Sequence, residues 1–530
     1  MRCRICSSAE KGAVIAARSE ITGDSCRLPL SRSVWILAVC GTLLHLLFNR
    51  QYGFFRDELY YAACGEHPAW GYVDHSPLAP LATYLSRAVL GDSLAALRFL
   101  PALASAGKIF LAGWIAREVG GGKFAQFFAA FTVLCAPIYL TFDNFLSMNS
   151  FEPVFWMASA AILVRILNGG DRCLWLLFGL IAGIGVLNKH SMLFFGSGLA
   201  IGLLLTPARI VFRSAWTWAG AALVAAIFLP NLLWEARNHY PTIQLLHTVI
   251  GTKYSTVSPL EYIAQQALLT HPLAAPVWLL GLWFFLRDAA GKKCAFLAIA
   301  YFVVLAEMIL LHGKIYYLAP AYVMLLAGGA VWIEKHALPR AGAWLKPVLV
   351  APLLAGAAIA APLAMPILPV RQAIKYCAFW DVKAVKVENV PLGELPQLFG
   401  DMFGWEDQVQ AMSRAYHSLP DSDRSKAALL AYNYGEAGAI DYLGKHYGLP
   451  KAISGHNQYG YWGPRGYSGE IVIAIGYPLE RLQRSFDDVS PFETISPQYA
   501  MPEETNLTIY ICRKPRRPLS ESWSEWTYLD

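Results

Sequence analysis

Long apolar runs alternate with short polar turns from residue 33 to residue 369, and there the alternation stops. A bilayer core takes roughly 20 apolar residues per helix. By that measure the chain predicts about eleven membrane helices, near 33–49, 94–117, 124–141, 150–168, 172–188, 190–206, 215–234, 271–287, 293–311, 316–334 and 346–368. The pair meeting at Asn188 also reads as one long broken helix. Beyond Pro369 the sequence turns polar and rich in turn residues, with no run long enough to span. In that part "AALLAYNYG" (427–435), "GEIVIAIGY" (469–477) and "NLTIYICRK" (506–514) predict strands, and "EAGAIDYLGKHYG" (436–448) and "PLERLQRSF" (478–486) predict helices. The expected organisation is a polar cytoplasmic tail (1–32), a mostly α, multi-pass membrane domain (33–369) and a small α/β domain (370–530). No internal repeat is visible.

Composition supports the membrane reading. Of 530 residues, 56% are hydrophobic and only 15% charged, with a mean hydropathy of +0.40, where a soluble domain carries about 25% charge. The net charge of +6 comes from scattered residues rather than a basic stripe, which argues against a nucleic-acid partner. Basic residues near helix ends set orientation. With the N-terminal tail taken as cytoplasmic, that side holds Arg117, Lys123, Arg165, Arg172, Arg209, Arg213, Arg287, Lys292, Lys293, Lys335, Arg340 and Lys346, and the tail adds Arg2, Arg4, Lys11, Arg18, Arg27 and Arg32. On the other side the turn from Asp143 to Asn149 has no basic residue, and His312 to Lys314 has a single lysine.

This assignment places loop 50–93, the turn at Asn188–His190, loop 235–270 and the α/β domain outside a cell inner (plasma) membrane. Residues 1–32 lack an apolar core and do not read as a cleavable signal. Cys3 and Cys6 form a lone CxxC, weak ground for zinc. Cys377 and Cys512 would share an oxidising compartment, where a pairing is open.

The unusual polar residues all fall on the outer side. "FRDELYYAACGEHPAWGYVDHSPLAP" (55–80) carries Asp57 and Glu58, then Asp74 and His75. A carboxylate at a membrane surface serves as general base, metal ligand or structural anchor. Two acidic clusters on one short loop, closed by Pro77 and Pro80, suit a folded site better than a solvated linker. Lys189, His190 and Lys314 sit at outer helix ends, where an anion would find them, although Lys314 also reads as an interfacial lysine and the Lys189 turn as a solvated corner. Lys108 lies mid-helix, which calls for an acid partner or a shifted boundary. Arg98 reads as interfacial or phosphate-binding, and Glu307 lies near an outer helix end. The aromatic "HNQYGYWGPRGY" (456–467) reads either as a ligand-contacting loop or as a packed turn.

Four segments in order, "FRDELYYA" (55–62), "LSMNSFEPVFW" (146–156), "GIGVLNKHSMLFF" (183–195) and "HGKIYYLAPAY" (312–322), resemble the protein O-mannosyltransferase-like GT-C membrane glycosyltransferases of bacterial type. The resemblance spans most of residues 50–335. It implies a GT-C architecture, a polyprenyl-phosphate sugar donor and an acceptor hydroxyl on a protein, lipid or surface glycan. On this resemblance Asp57 would be the general base, with Glu58 as its orienting or metal-binding neighbour. Lys314, Lys189, His190 and Arg56 would meet the donor phosphate. Asp74, His75, Asp143, Asn149, Glu152, Tyr316 and Tyr317 would contact substrate. The family pattern has an acid where this chain has Asn149, with Asp143 and Glu152 close enough in sequence to supply the charge. No cofactor is required, since a monophosphate donor makes a divalent metal optional; Asp57, Glu58 and Asp143 are the residues that would hold one. The competing reading is a transporter or flippase of lipid-linked sugars. Transporters place functional charges at the midplane and often carry inverted repeats, whereas this chain puts its polar clusters at one surface and shows no such repeat. A third reading, a membrane anchor for a binding domain, leaves the first-loop carboxylates without a purpose.

Overall fold

Apolar sequence becomes helix throughout the first two-thirds of the chain. The computed structural model describes residues 29–249, 257–381, 388 and 390–530. The Cys3–Cys6 pair and the basic residues from Arg2 to Arg27 lie outside the described residues, as does the middle of loop 235–270. Helix α1 (Arg32–Phe48) leads into the first loop, which folds as α2 (Arg56–Glu66) and α3 (Leu78–Leu90). The membrane helices continue as α4 (Phe99–Glu118), α5 (Lys123–Leu134), α6 (Pro137–Phe142), α7 (Met148–Leu167), α8 (Leu174–Asn188), α9 (Met192–Leu204) and α10 (Ala215–Arg237). Then come α11 (Pro241–Val249), α12 (Pro259–Leu269), α13 (Ala275–Arg287), α14 (Ala295–Leu310), α15 (Ala319–Trp332) and α16 (Leu345–Ala364).

All eleven expected segments are helical, but length and composition support fewer spans. Among the described residues six helices are long and apolar enough to cross a bilayer, or up to eight if each of two bent pairs is one span. The bends are sharp, 107° after α9 and 101° between α12 and α13. The run expected at 124–141 is broken before Pro137, which takes the first turn of a new helix, where its missing N–H costs nothing. At Asn188 the chain forms two helices, with Lys189 extended between them.

Helix α15 is buried on nearly all sides and forms the middle of the bundle. It packs against α13 at two glycines, Gly281 and Gly329, where an added Cβ would lie 1.9 Å and 1.8 Å from a backbone oxygen of the other helix. Small residues at such a contact are how membrane helices gain close packing. Exposed leucines such as Leu47, Leu205 and Leu310 face outward, as lipid contact requires. At the basic end of the bundle, Arg117 and Arg165 share Glu118, and Lys293 donates to Asn168.

The C-terminal part holds α17 (Val370–Phe379), α18 (Trp405–His417), β1 (Ala427–Ala431), α19 (Tyr434–Leu443), β2 (Ala452–Ile453), α20 (Asn457–Trp462), β3 (Ile471–Ile475), α21 (Leu479–Ser485), β4 (Phe486–Ile495), β5 (Leu507–Pro515) and α22 (Leu519–Trp526). The sheet runs β2-β1-β3-β5-β4, parallel through the first three strands and antiparallel at the last two. Strands β1 and β3 are fully buried, which is why they read as unbroken apolar runs. One face of the sheet shares a core with α2, where Leu59, Tyr60 and Ala63 pack with Leu429, Ala437 and Ile473. Cys377 and Cys512 belong to different cores, so no disulfide joins them.

Candidate active site

Helix α2 begins with Arg56, Asp57 and Glu58, so both acids stand in the first turn, where the helix dipole favours negative charge. Their side chains part company at once. Asp57 faces a cavity of about 940 Å³. Glu58 turns away and is fully buried. It accepts from Arg98 Nε and Nη2, both at 2.9 Å, from the Phe55 backbone at 2.8 Å and from the Leu146 backbone at 2.9 Å. Arg98 also donates to the carbonyls of Asn49, Gln51 and Gly53. Glu58 is therefore a tie between the first loop, α4 and the turn before α7, not a neighbour of the reacting groups or a metal ligand. Arg98 is likewise buried and neither interfacial nor placed to meet phosphate.

The cavity has two unlike parts. One is apolar, lined by Leu245, Val249, Leu269, Ile359 and Leu363 from α11, α12 and α16. The other is polar and gathers most of the residues expected from the sequence: Arg56, Asp57, Asp74, His75, Asn149, Lys189, His190, Lys314, Tyr316 and Tyr317. Lys189 Nζ donates to Asn149 Oδ1 at 2.8 Å and to Glu152 Oε2 at 2.9 Å, and it lies 4.2 Å from the Tyr317 ring centre. Asn149 and Glu152 are three apart on α7 and so share a face. The charge that Asn149 lacks is thus supplied to Lys189 by Glu152. His190 Nε2 pairs with Asn231 Oδ1 at 2.9 Å.

Asp74 accepts from Tyr60 at 2.9 Å and from Asn457 Nδ2 at 3.1 Å. Burial lowers the pKa of His75, and its Nδ1 faces the Ser76 carbonyl at 3.2 Å. Asp74 stands 3.8 Å from His75 Nε2, beyond hydrogen-bond reach.

Two expected substrate contacts lie outside the cavity lining. Asp143 is buried and paired with Lys108, whose ammonium also donates to the Ser150 carbonyl at 3.1 Å. This supplies the acid partner that a mid-helix lysine requires, and it removes Asp143 from substrate contact and from metal binding. Glu152 is spent on Lys189 and Ser191. Glu307 hydrogen-bonds Ser197 and does not line the cavity. Among the described residues no group of three or more His, Cys, Asp or Glu side chains converges to hold a metal ion.

The C-terminal domain closes the polar part with residues that, Asn457 apart, carry no signal in the sequence. Tyr434, at the start of α19, donates to Asp57 Oδ1 at 3.1 Å and stacks on Tyr60 with ring centres 4.4 Å apart. The Arg56 guanidinium lies 5.5 Å from the Tyr434 ring centre. Burial pushes the Asp57 carboxyl above its ordinary value, opposed by Arg56 and by the Tyr434 hydroxyl, while Asp74 and Glu388 add to the rise. Glu388 pairs with Lys314 and accepts from Gln397 at 2.9 Å. Burial opposes its ionisation, yet Lys314 and Arg56 hold Glu388 down at about 2. Asn457 reaches Asp74 from a backbone with φ 46°, a conformation asparagine tolerates better than most residues. The 456–467 stretch thus serves in part as a docking turn: the Gln458 side chain accepts from the Val73 backbone at 3.1 Å.

Residues 74–234 match the family described as dolichyl-phosphate-mannose-protein mannosyltransferase. The match begins at Asp74, so the segment bearing Asp57 lies outside it. No curated protein matches the chain. Among solved structures, ArnT from Cupriavidus metallidurans in the apo state superposes with a TM-score of 0.60 at 12% identity, covering 95% of this chain and 98% of that one. The same protein bound to undecaprenyl phosphate gives 0.58 at 13% identity, covering 91% and 98%. At that identity the likeness is one of fold. The chain has the GT-C architecture of ArnT across the membrane domain and the domain that follows, and the segments 146–156 and 183–195 fall within the residues matched by the family.

Proposed function

We propose that the protein is a membrane glycosyltransferase that moves a hexose or pentose from a polyprenyl-phosphate donor to an acceptor hydroxyl, on the extracytoplasmic face of the plasma membrane and by inverting displacement. The observation that carries this reading is one cavity in which apolar side chains adjoin a polar group that includes Asp57 and three cations. An isoprenoid tail suits the apolar side chains, and a sugar phosphate suits the polar group. ArnT, whose fold this chain shares, has been seen with undecaprenyl phosphate bound, a ligand of the proposed class.

The chemistry follows from the groups present. Asp57 accepts the acceptor's hydroxyl proton as that oxygen bonds to the anomeric carbon. The carbon's bond to the phosphate oxygen breaks on the opposite side, and the electron pair leaves with polyprenyl phosphate. Arg56, Lys189 and Lys314 stabilise the charge that collects there, which is the usual largest contribution of such a site. These cations serve a monophosphate without a metal ion. Raised by burial, Asp57 is a stronger base than an exposed aspartate. The test is release of free polyprenyl phosphate by the full chain in lipid nanodiscs, over a panel of polyprenyl-phosphate sugars with membrane extract as acceptor. Asp57→Asn is expected to lower release by about 100-fold or more, the range for loss of a general base, with donor binding retained. Release that survives in the variant moves the base elsewhere.

A further inference from the structure

Among the described residues Asp401 is the acid whose two carboxylate oxygens are both buried and both without a hydrogen-bond partner. It lines the same cavity and is 2% exposed. Its backbone is well used: the carbonyl accepts from the Arg56 amide at 3.1 Å and from Trp405 Nε1 at 3.0 Å, which fixes the residue in place. Its side chain is not. The Arg56 guanidinium stands 3.9 Å away, beyond hydrogen-bond reach, and is equally near Glu503. A buried carboxylate with no donor is costly, and native proteins keep few of them. What the fold gains from the acid is a long ion pair with Arg56 and no hydrogen bond, so the open acceptor sites point to a ligand that brings the donor.

We propose that Asp401 is a sugar-binding residue that accepts a hydrogen bond from a hydroxyl of the donor sugar, so that the C-terminal domain takes part in choosing the donor. The identity of the ligand rests on the transferase reading above. The placement favours the donor because Asp401 stands beside the cations suited to its phosphate. Arg56 is its nearest charge, and the Glu388 that pairs with Lys314 acts on it electrostatically. A sugar joined to that phosphate through one oxygen lies within reach. Without such a donor, burial lifts the Asp401 carboxyl to about 7, opposed by Arg56 and reinforced by Asp57 and Glu388. A bound hydroxyl would settle it as the anion.

The experiment compares affinity for sugar-bearing and for bare polyprenyl phosphate, using the full chain in nanodiscs, as wild type and Asp401→Asn. A hydrogen bond to a charged group is worth about 1.5–3 kcal/mol, so the variant is expected to bind the preferred sugar-bearing donor about 10- to 100-fold more weakly. Its affinity for bare polyprenyl phosphate should be unchanged. A donor lacking the contacted hydroxyl should bind wild type and variant alike. Equal loss for both ligands or no loss for either would overturn the assignment. A wild type that prefers sugar-bearing lipid but releases nothing would sink the transferase reading alone, and the variant's selectivity would still decide Asp401.

Discussion

Tyr434 meets Asp57 with a hydroxyl whose loss has a defined sign. The hydrogen bond lowers the Asp57 pKa, and burial raises it. In Tyr434→Phe the lowering contribution disappears, so Asp57 holds its proton to a higher pH and the basic form becomes scarcer below neutrality. The acid limb of the kcat/KM profile is therefore expected to move to higher pH, with little change in thermal midpoint. A limb that stays in place would remove Asp57 as the base it reports. Asp57, Lys189 and Lys314 were legible because a charge beside an apolar run is anomalous on its own. Tyr434 was not: it lies 377 residues from Asp57 in the chain, inside a segment whose strand-helix pattern explains it fully. Asp401 and Glu388 are hidden because they lie in a polar stretch for which the sequence predicts no element. Glu58 misled because adjacency in sequence suggests a shared role, whereas consecutive helical residues point in different directions and its partner Arg98 lies 40 residues on.

Helix α2 is aimed by the Glu58–Arg98 pair more than by its own sequence. Breaking a buried ion pair by removing one partner costs about 3–5 kcal/mol, because the remaining charge stays buried. Glu58→Gln is expected to lose stability of that order, seen as a lower unfolding midpoint in detergent or nanodiscs before any effect on chemistry is measured. A variant as stable as wild type would mean that the pair does not hold the loop. The strong elements were readable at this scale: the buried strands β1 and β3 and the long helices α4, α7, α10, α14 and α16 fall close to where the apolar pattern puts them. Strand β4 did not show, since Phe486–Ile495 mixes acids, serine and Pro491 and pairs on one side only. A proline with a register shift beside it is acceptable at a sheet edge and reads locally as a turn. The expected eleven spans shrank because apolar composition does not reveal bends or short helices. Pro137 and the sharp turn after α9 are where the difference arises.

The whole molecule puts the polar part of its cavity at one end of a helix bundle and its basic turns at the other. That polarity makes a prediction about orientation. Cys173 is exposed in a turn at the basic end, and Tyr461 is exposed on the C-terminal domain. A membrane-impermeant maleimide added to intact cells is expected to label Tyr461→Cys and to leave the parent protein unlabelled until the cells are opened. Labelling of the parent from outside would invert the orientation. One feature of the assembled chain also bears on how it is made. The core beneath α2 is completed by residues from Trp405 onward, and Gly438 of α19 seats directly against the Leu59 backbone, where an added Cβ would come within 2.9 Å. While the ribosome is still extending the membrane helices, the first loop has already been made, with Leu59 and Tyr60 bare. It stays a half-formed surface until the last strands arrive and dock. A chain cut before α19 lacks both the hydroxyl that meets Asp57 and the core that seats α2, and the loop's waiting time is set by translation.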